Sequence, residues 1–262
     1  MFKKTGYLDI RRLRQDGVPH WSDAPIYSIP GAMISYKVIE EFMGLGADLA
    51  ANAVVPLASG NWWLTEANAV TMSQADVAGG VATLTCGGAA EDGGQVSLGG
   101  VQAGGGAIFC AAGKTIWFEV RASLTDIGTD QLNAFFGLIN PNATEWLPDG
   151  GGGAMGVNDV IGWVLQDTEI NWSFVGRRIA VENYVDCGAA CDTTDGEYHY
   201  FGFLVDGITS VTAYFDRVAI AAGAQVTANI PITGLMPGFA IKAGNTNAEI
   251  LSIDYIECVQ LR

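Results

Sequence analysis

Positive charge is scarce in this sequence. Thirteen Lys and Arg stand against 28 Asp and Glu, for a formal net charge of −15. A phosphate backbone would be repelled, which argues against nucleic acid as the main ligand. Histidine is scarcer still: His20 and His199 are the only two, and neither lies near a Ser or Cys motif that would make a nucleophile–base pair. No run of 18 apolar residues occurs, so no transmembrane helix is expected. The basic N-terminal residues are not followed by an apolar h-region, so no secretory signal peptide is expected either. Cysteines number five (Cys86, Cys110, Cys187, Cys191 and Cys258), and an odd count leaves at least one unpaired. The C-x3-C of Cys187 and Cys191 lacks the second ligand pair of a zinc site. A small loop disulfide and two free thiols both remain open for it. Cys86 and Cys110 lie in apolar, strand-like runs and read as small core residues.

What the sequence does have is glycine and apolar surface. Hydrophobic residues make up 49% of the chain, charged residues 16%, and there are 35 glycines. A chain of 262 residues with that composition can bury a substantial core. Glycine supplies the tight turns of an all-β domain. The charge is uneven. Residues 1–14 hold Lys3, Lys4, Arg11, Arg12 and Arg14 against Asp9 alone, a net of +4, so the remaining residues sum to −19. VPHWSDAPIYSIPG, residues 18–31, carries three prolines with aromatic residues between them. It is expected to be extended, with Trp21 and Tyr27 resting on something other than their own segment. YKVIEEFMGLG, residues 36–46, is the one stretch expected to form a helix. The expected division is an N-terminal arm with a short helix over 1–58 and a β domain over 59–262.

From about residue 59 the pattern is β. About a dozen short apolar runs are punctuated by Gly, Asn, Asp and Pro, which indicates a sandwich or barrel. KTIWFEVRASL, residues 114–124, shows the logic. Ile116, Phe118, Val120 and Ala122 fall on one face; Thr115, Trp117, Glu119, Arg121 and Ser123 fall on the other. Strict alternation predicts a half-buried antiparallel strand whose polar side faces water.

The order of the runs carries a resemblance. TIWFEVR, AFFGLIN, VIGW, DGEYHYFGFLVDG, VTAYFDRVAI, IPITGLMPGFAI and LSIDYIECVQLR follow one another over residues 106–262. This resembles the concanavalin A-like jelly-roll domains of tailed-phage virion proteins. One departure stands out: after VTAYF such domains usually have Asp-Gly, and this chain has Asp216-Arg217, so the hairpin is expected to be built differently there. The resemblance implies an all-β, antiparallel jelly-roll sandwich and a virion structural protein. The expected role is a capsid decoration (cement) protein on the outer surface of the major capsid protein lattice. Lys3, Lys4, Arg11, Arg12, Arg14, Trp21 and Tyr27 would form its partner-binding arm, and it would assemble as a homo-oligomer, with a trimer favoured. The alternative is a receptor- or glycan-binding module of a head or tail fibre.

Catalysis is not expected. A glycoside hydrolase needs two carboxylates about 5–9 Å apart across the scissile bond. Glucanases of this fold place three acids on one strand face, a run this chain lacks. Glu119 has Arg121 beside it, and Asp254 and Glu257, three apart, should point to opposite faces of a strand. GGGGAMG, residues 150–156, lacks the Lys and Ser/Thr of a phosphate loop and reads as a surface loop. No cofactor is expected. Asp126, Asp130, Asn133, Asn158 and Asp159 are calcium candidates by residue type alone. Trp146 and Trp172 lie in polar settings and could stack on sugars, but packing on the sandwich or a neighbouring subunit is favoured. His199 is expected to be a strand residue with a satisfied ring.

Overall fold

In the computed structural model, residues 14–15, 18–19, 35–40, 55–56, 62–66, 69–75, 80–99, 106–125, 132–140, 145–148, 155–167, 169–191, 193, 196–220, 225–244 and 246–261 are described. The strands are β1 (Arg14–Gln15), β2 (Val18–Pro19), β3 (Ser35–Glu40), β4 (Val55–Pro56), β5 (Trp62–Glu66), β6 (Val70–Ala75), β7 (Val81–Cys86), β8 (Gly93–Leu98), β9 (Thr115–Leu124) and β10 (Leu132–Ile139). They continue with β11 (Val160–Leu165), β12 (Ser173–Arg178), β13 (Val181–Asp186), β14 (His199–Asp206), β15 (Ser210–Phe215), β16 (Val218–Ala219), β17 (Gln225–Val226), β18 (Met236–Ala243) and β19 (Ile250–Leu261). One 3₁₀ turn, Gly188–Cys191, follows β13.

Two sheets stack face to face. One is ordered β13-β12-β11-β10-β18-β8-β5-β4. The other runs β16-β15-β14-β9-β19-β7-β6, with β17 on β15 and β3 on β19. Neighbours in both sheets pair antiparallel, often between strands far apart in sequence; β9 lies between β14 and β19. This is the jelly-roll sandwich the run order implied.

Alternation decides which side chains meet between the sheets. Ile116, Phe118, Val120 and Ala122 of β9 do so as expected, with Phe136, Trp163, Phe174, Phe201, Phe203 and Phe239. Phe118 stacks on Phe203 with ring centroids 4.7 Å apart. The far face of the first sheet is also covered: Trp146, Leu147, Met155 and Val157 lie on Phe135, Val160, Val164 and Val175. Trp146 fits there because residue 238 is glycine. A Cβ at Gly238 would come within 2.9 Å of the indole ring.

The segment expected to be helical gives way to β3. Ser35–Glu40 pairs with Ile256–Leu261, and Val38 packs on the main core. The outer half of β19 needs a partner, and an apolar β-branched pair (Val38-Ile39) suits a ladder better than an isolated helix. Residues 41–46 lie outside the described residues.

Candidate functional site

The far face of the second sheet collects the polar chemistry. It starts from β9, which turns Trp117, Glu119 and Arg121 away from the core. Trp117 is covered by Tyr214 and Val259, with Leu204 and Leu261 beside it. Contrary to the expectation from alternation, Glu119 does not face water: its exposure is 0%. On one side β14 sets Gly202 opposite it, and on the other β19 sets Glu257 opposite it. The Tyr255 hydroxyl donates to Glu119 Oε1 in a short hydrogen bond. Arg217 Nη2 lies 3.6 Å from the same oxygen and 3.5 Å from the Tyr255 hydroxyl. Burial pushes the Glu119 carboxyl up to about 8; Arg217 and the Tyr255 hydrogen bond oppose the rise and Glu257 adds to it.

Tyr255 reaches this face because β19 carries a bulge. Its register on β9 shifts between Ile253 and Tyr255, so Ile253 points into the core and Tyr255 and Glu257 point outward. Asp254 is the extra residue, and its Oδ2 lies 2.5 Å from Arg121 Nη1. This corrects the expectation that Asp254 and Glu257 face opposite ways: Asp254 pairs with an arginine of the face that carries Glu257.

A hairpin turn supplies the rest. Between β15 and β16, Asp216 and Arg217 hold φ of 46° and 66°, the left-handed conformation of a two-residue turn that favours Asn or Gly. Asp216 Oδ1 accepts the Tyr200 backbone N–H at 3.0 Å, and its Oδ2 meets His199 Nδ1 at 2.8 Å. His199 points the other way from the tyrosines and stacks on Phe215. Its Nδ1 is paired with Asp216, but its buried Nε2 has no hydrogen-bond partner among the described residues, so the ring is satisfied on one side only. Arg217 lies over the Tyr200 ring, its Cζ 3.6 Å from the centroid. Arg121 lies over Tyr198 at 4.4 Å. Tyr198, Tyr200, Arg121, Arg217 and Asp254 are all partly exposed. The result is a half-open platform of two tyrosines under two guanidiniums, above a buried floor of Glu119, Tyr255 and Glu257.

Of the residues the sequence singled out, Lys3, Lys4, Arg11, Arg12, His20, Trp21, Tyr27, Asp126 and Asp130 lie outside the described residues. Arg14 opens β1, and only its backbone is described. Trp146 and Trp172 are 1% and 0% exposed. Trp172 packs on Phe136 and Phe201 and donates to Thr193 Oγ1 at 3.3 Å, so packing is the role of both indoles. Asn133 accepts from Asp167 N, and Asp159 from Ile179 N, so the two brace separate loops. Met155 of the glycine-rich stretch is buried in the core over the first sheet. All five cysteines are free and buried, and Cys86 and Cys110 belong to the main core as expected. On the first sheet's far face, Lys242 is buried between Glu91 (3.0 Å) and Glu145 (3.2 Å), its charge matched twice over.

No family model matches the sequence, and no curated protein does. Solved structures do. A protein of unknown function from Shewanella oneidensis MR-1 superposes with a TM-score of 0.52 at 13% identity, covering 87% of each chain. A cellulose induced protein, Cip1, gives 0.52 at 10%, covering 84% of this chain and 96% of its own. The metal-free carbohydrate recognition domain of Emp46p gives 0.50 at 10%, covering 77% and 88%. The virion setting of the sequence resemblance has no counterpart among these three. What this chain shares with them is the lectin-like jelly-roll sandwich.

Proposed function

We propose that this chain is a glycan-binding module and that sugars dock on the outer face of the second sheet, beside Tyr198 and Tyr200. The observation that carries the reading is the platform itself. Two partly exposed tyrosines, Tyr198 just before β14 and Tyr200 within it, lie beneath guanidiniums, with Asp254 paired to that of Arg121. Planar aromatic surface beside a few fixed donors and acceptors suits a ring with one apolar C–H face and a rim of hydroxyls. The carbohydrate recognition domain that shares this sandwich supports the reading.

The reading is binding rather than cleavage. The carboxyl with the strongly raised proton affinity, Glu119, lies wholly beneath Tyr255 and Arg217, where no substrate atom reaches it. The head-attachment reading rests on arm residues whose side chains lie outside the described structure, and no described feature favours it.

Glycan-array binding of the full chain, with a Tyr198→Ala/Tyr200→Ala variant beside it, tests the proposal. Retention of a defined set of glycans by the wild type and its loss in the variant is the expected result. No retained glycan, or equal binding by the variant, overturns it.

A further inference from the structure

The two guanidiniums of the platform are not equivalent. That of Arg121 is matched at 2.5 Å by the partly exposed carboxylate of Asp254. That of Arg217 has one ion-pair partner among the described residues, Glu119, at 3.6 Å. Glu119 is wholly buried, and its Oε1 already accepts the Tyr255 hydroxyl. Asp216, the neighbour of Arg217 in the turn, is turned to His199 and the Tyr200 backbone. Arg217 is therefore the platform's least neutralised cation, and its side chain keeps 27% of its surface open.

Its backbone adds to the case. Arg217 holds φ of 66°, a conformation that a glycine would adopt without penalty and that costs an ordinary side chain on the order of 1 kcal/mol. Strain of that kind persists where the side chain repays it. The Arg217 guanidinium lies over Tyr200, its Cζ 3.6 Å from the ring centroid, which holds in place a group that pairs with carboxylates.

We propose that the site selects acidic sugars, uronic or sialic, whose carboxylate docks on the Arg217 guanidinium while the ring lies beside Tyr200. This rests on the glycan reading above and names its ligand class. The raised proton affinity of Glu119, caused first by burial, works in the same direction: it lessens the negative charge beneath Arg217 that would compete with a ligand carboxylate. The chain's net charge of −15 repels polyanions at long range, so retention of an acidic glycan has to come from a local contact rather than a general field.

The test uses the full chain on three matched sets of glycans: acidic, the same glycans with their carboxylates methyl-esterified, and neutral. Acidic glycans should be retained, and esterification should weaken binding about tenfold or more. Arg217→Gly restores the residue this turn favours, so the variant should fold, and it should lose the preference for acids. Arg217→Lys should recover only part of it. If esterified or neutral glycans bind as well as acidic ones, this inference falls while the glycan reading stands. If no glycan of any class is retained, the glycan reading falls and takes this one with it. The esterification comparison needs no variant and decides the matter even if Arg217→Gly fails to fold.

Discussion

At the scale of the residue, Glu119 gives the sharpest consequence. Its carboxyl is raised from 4.5 to about 8 by burial, with Arg217 and Tyr255 pulling the other way and Glu257 pushing it further. A folded-state value above the unfolded one means that the native protein holds an extra proton between those limits. The stabilisation is full below about 4.5 and is lost as pH climbs through about 8. Urea midpoints measured across that window should therefore fall with pH. Glu119→Gln, neutral throughout, should flatten the fall, leaving the smaller slope of Asp167, whose carboxyl burial raises in the same sense. A Glu119→Gln profile as steep as the wild type would assign the slope to other groups. The sequence showed Glu119 on the non-core face of its strand and went wrong on its surroundings. Alternation tells which side of a sheet a residue is on, not what else covers that side. The covering groups here, Tyr255 of a strand and Arg217 of a hairpin turn, lie more than 95 positions away. Arg217 was legible as an anomaly, an arginine where the resemblance has glycine, and its position in the turn is what brings it to the site. Tyr198 and Tyr200 could have been found as an aromatic pair two apart with only His199 between them.

At the scale of the element, hairpins and ladders carry the argument. Ile179 and Ala180 close the β12–β13 hairpin with φ of 50° and 62°, and Ile179 is 70% exposed. A β-branched residue in the left-handed region is strained, and here it buries little in return. Replacing the pair by Asn-Gly should raise stability by roughly 1 kcal/mol. The backbone bonds that hold the tip, Ile179 N to Asp159 and Ala180 N to the Asn158 carbonyl, remain available. A lower urea midpoint would show that the isoleucine makes a contact worth more than the strain. The bulge at Asp254 belongs to the same scale. Nothing in LSIDYIECVQLR marks an inserted residue, because Ile253, Tyr255 and Val259 alternate well enough to read as one regular strand. The bulge splits them, sending Ile253 inward and Tyr255 outward, and so makes the site. Ser35–Glu40 shows the reverse failure. Its local pattern reads as a helix, but its structure is set by the unpaired half of β19. Comparing chains that begin at residue 35 and at residue 41 isolates that strand. The shorter should melt at a lower temperature and aggregate more readily, since an open edge of β19 would template pairing. Equal melting would make β3 dispensable.

At the scale of the whole molecule, charge and topology pull in different directions. The sandwich is held by an aromatic-rich core between the sheets and a second apolar layer over Phe135 and Val164, contributions that salt changes little. Over that frame lie 28 acidic residues against 13 basic ones, and compaction brings their like charges closer together. Some of the cations are already committed: Lys242 to Glu91 and Glu145, Arg177 to Glu182, Arg121 to Asp254. Lys242 and Arg177 are nearly enclosed, so mobile ions weaken those pairs far less than they weaken repulsion across the surface. Net repulsion should therefore dominate the salt response. Raising NaCl from about 10 mM to about 150 mM shortens the screening length from about 30 Å to about 8 Å and should raise the urea midpoint at neutral pH. The rise should shrink near pH 5, where the surface carboxylates begin to take up protons and less repulsion is left to screen. Urea, being uncharged, keeps the denaturant from screening on its own account. A midpoint that fell with salt would mean that the partly exposed pairs, Arg121–Asp254 first among them, stabilise the sandwich more than its excess of negative charge strains it.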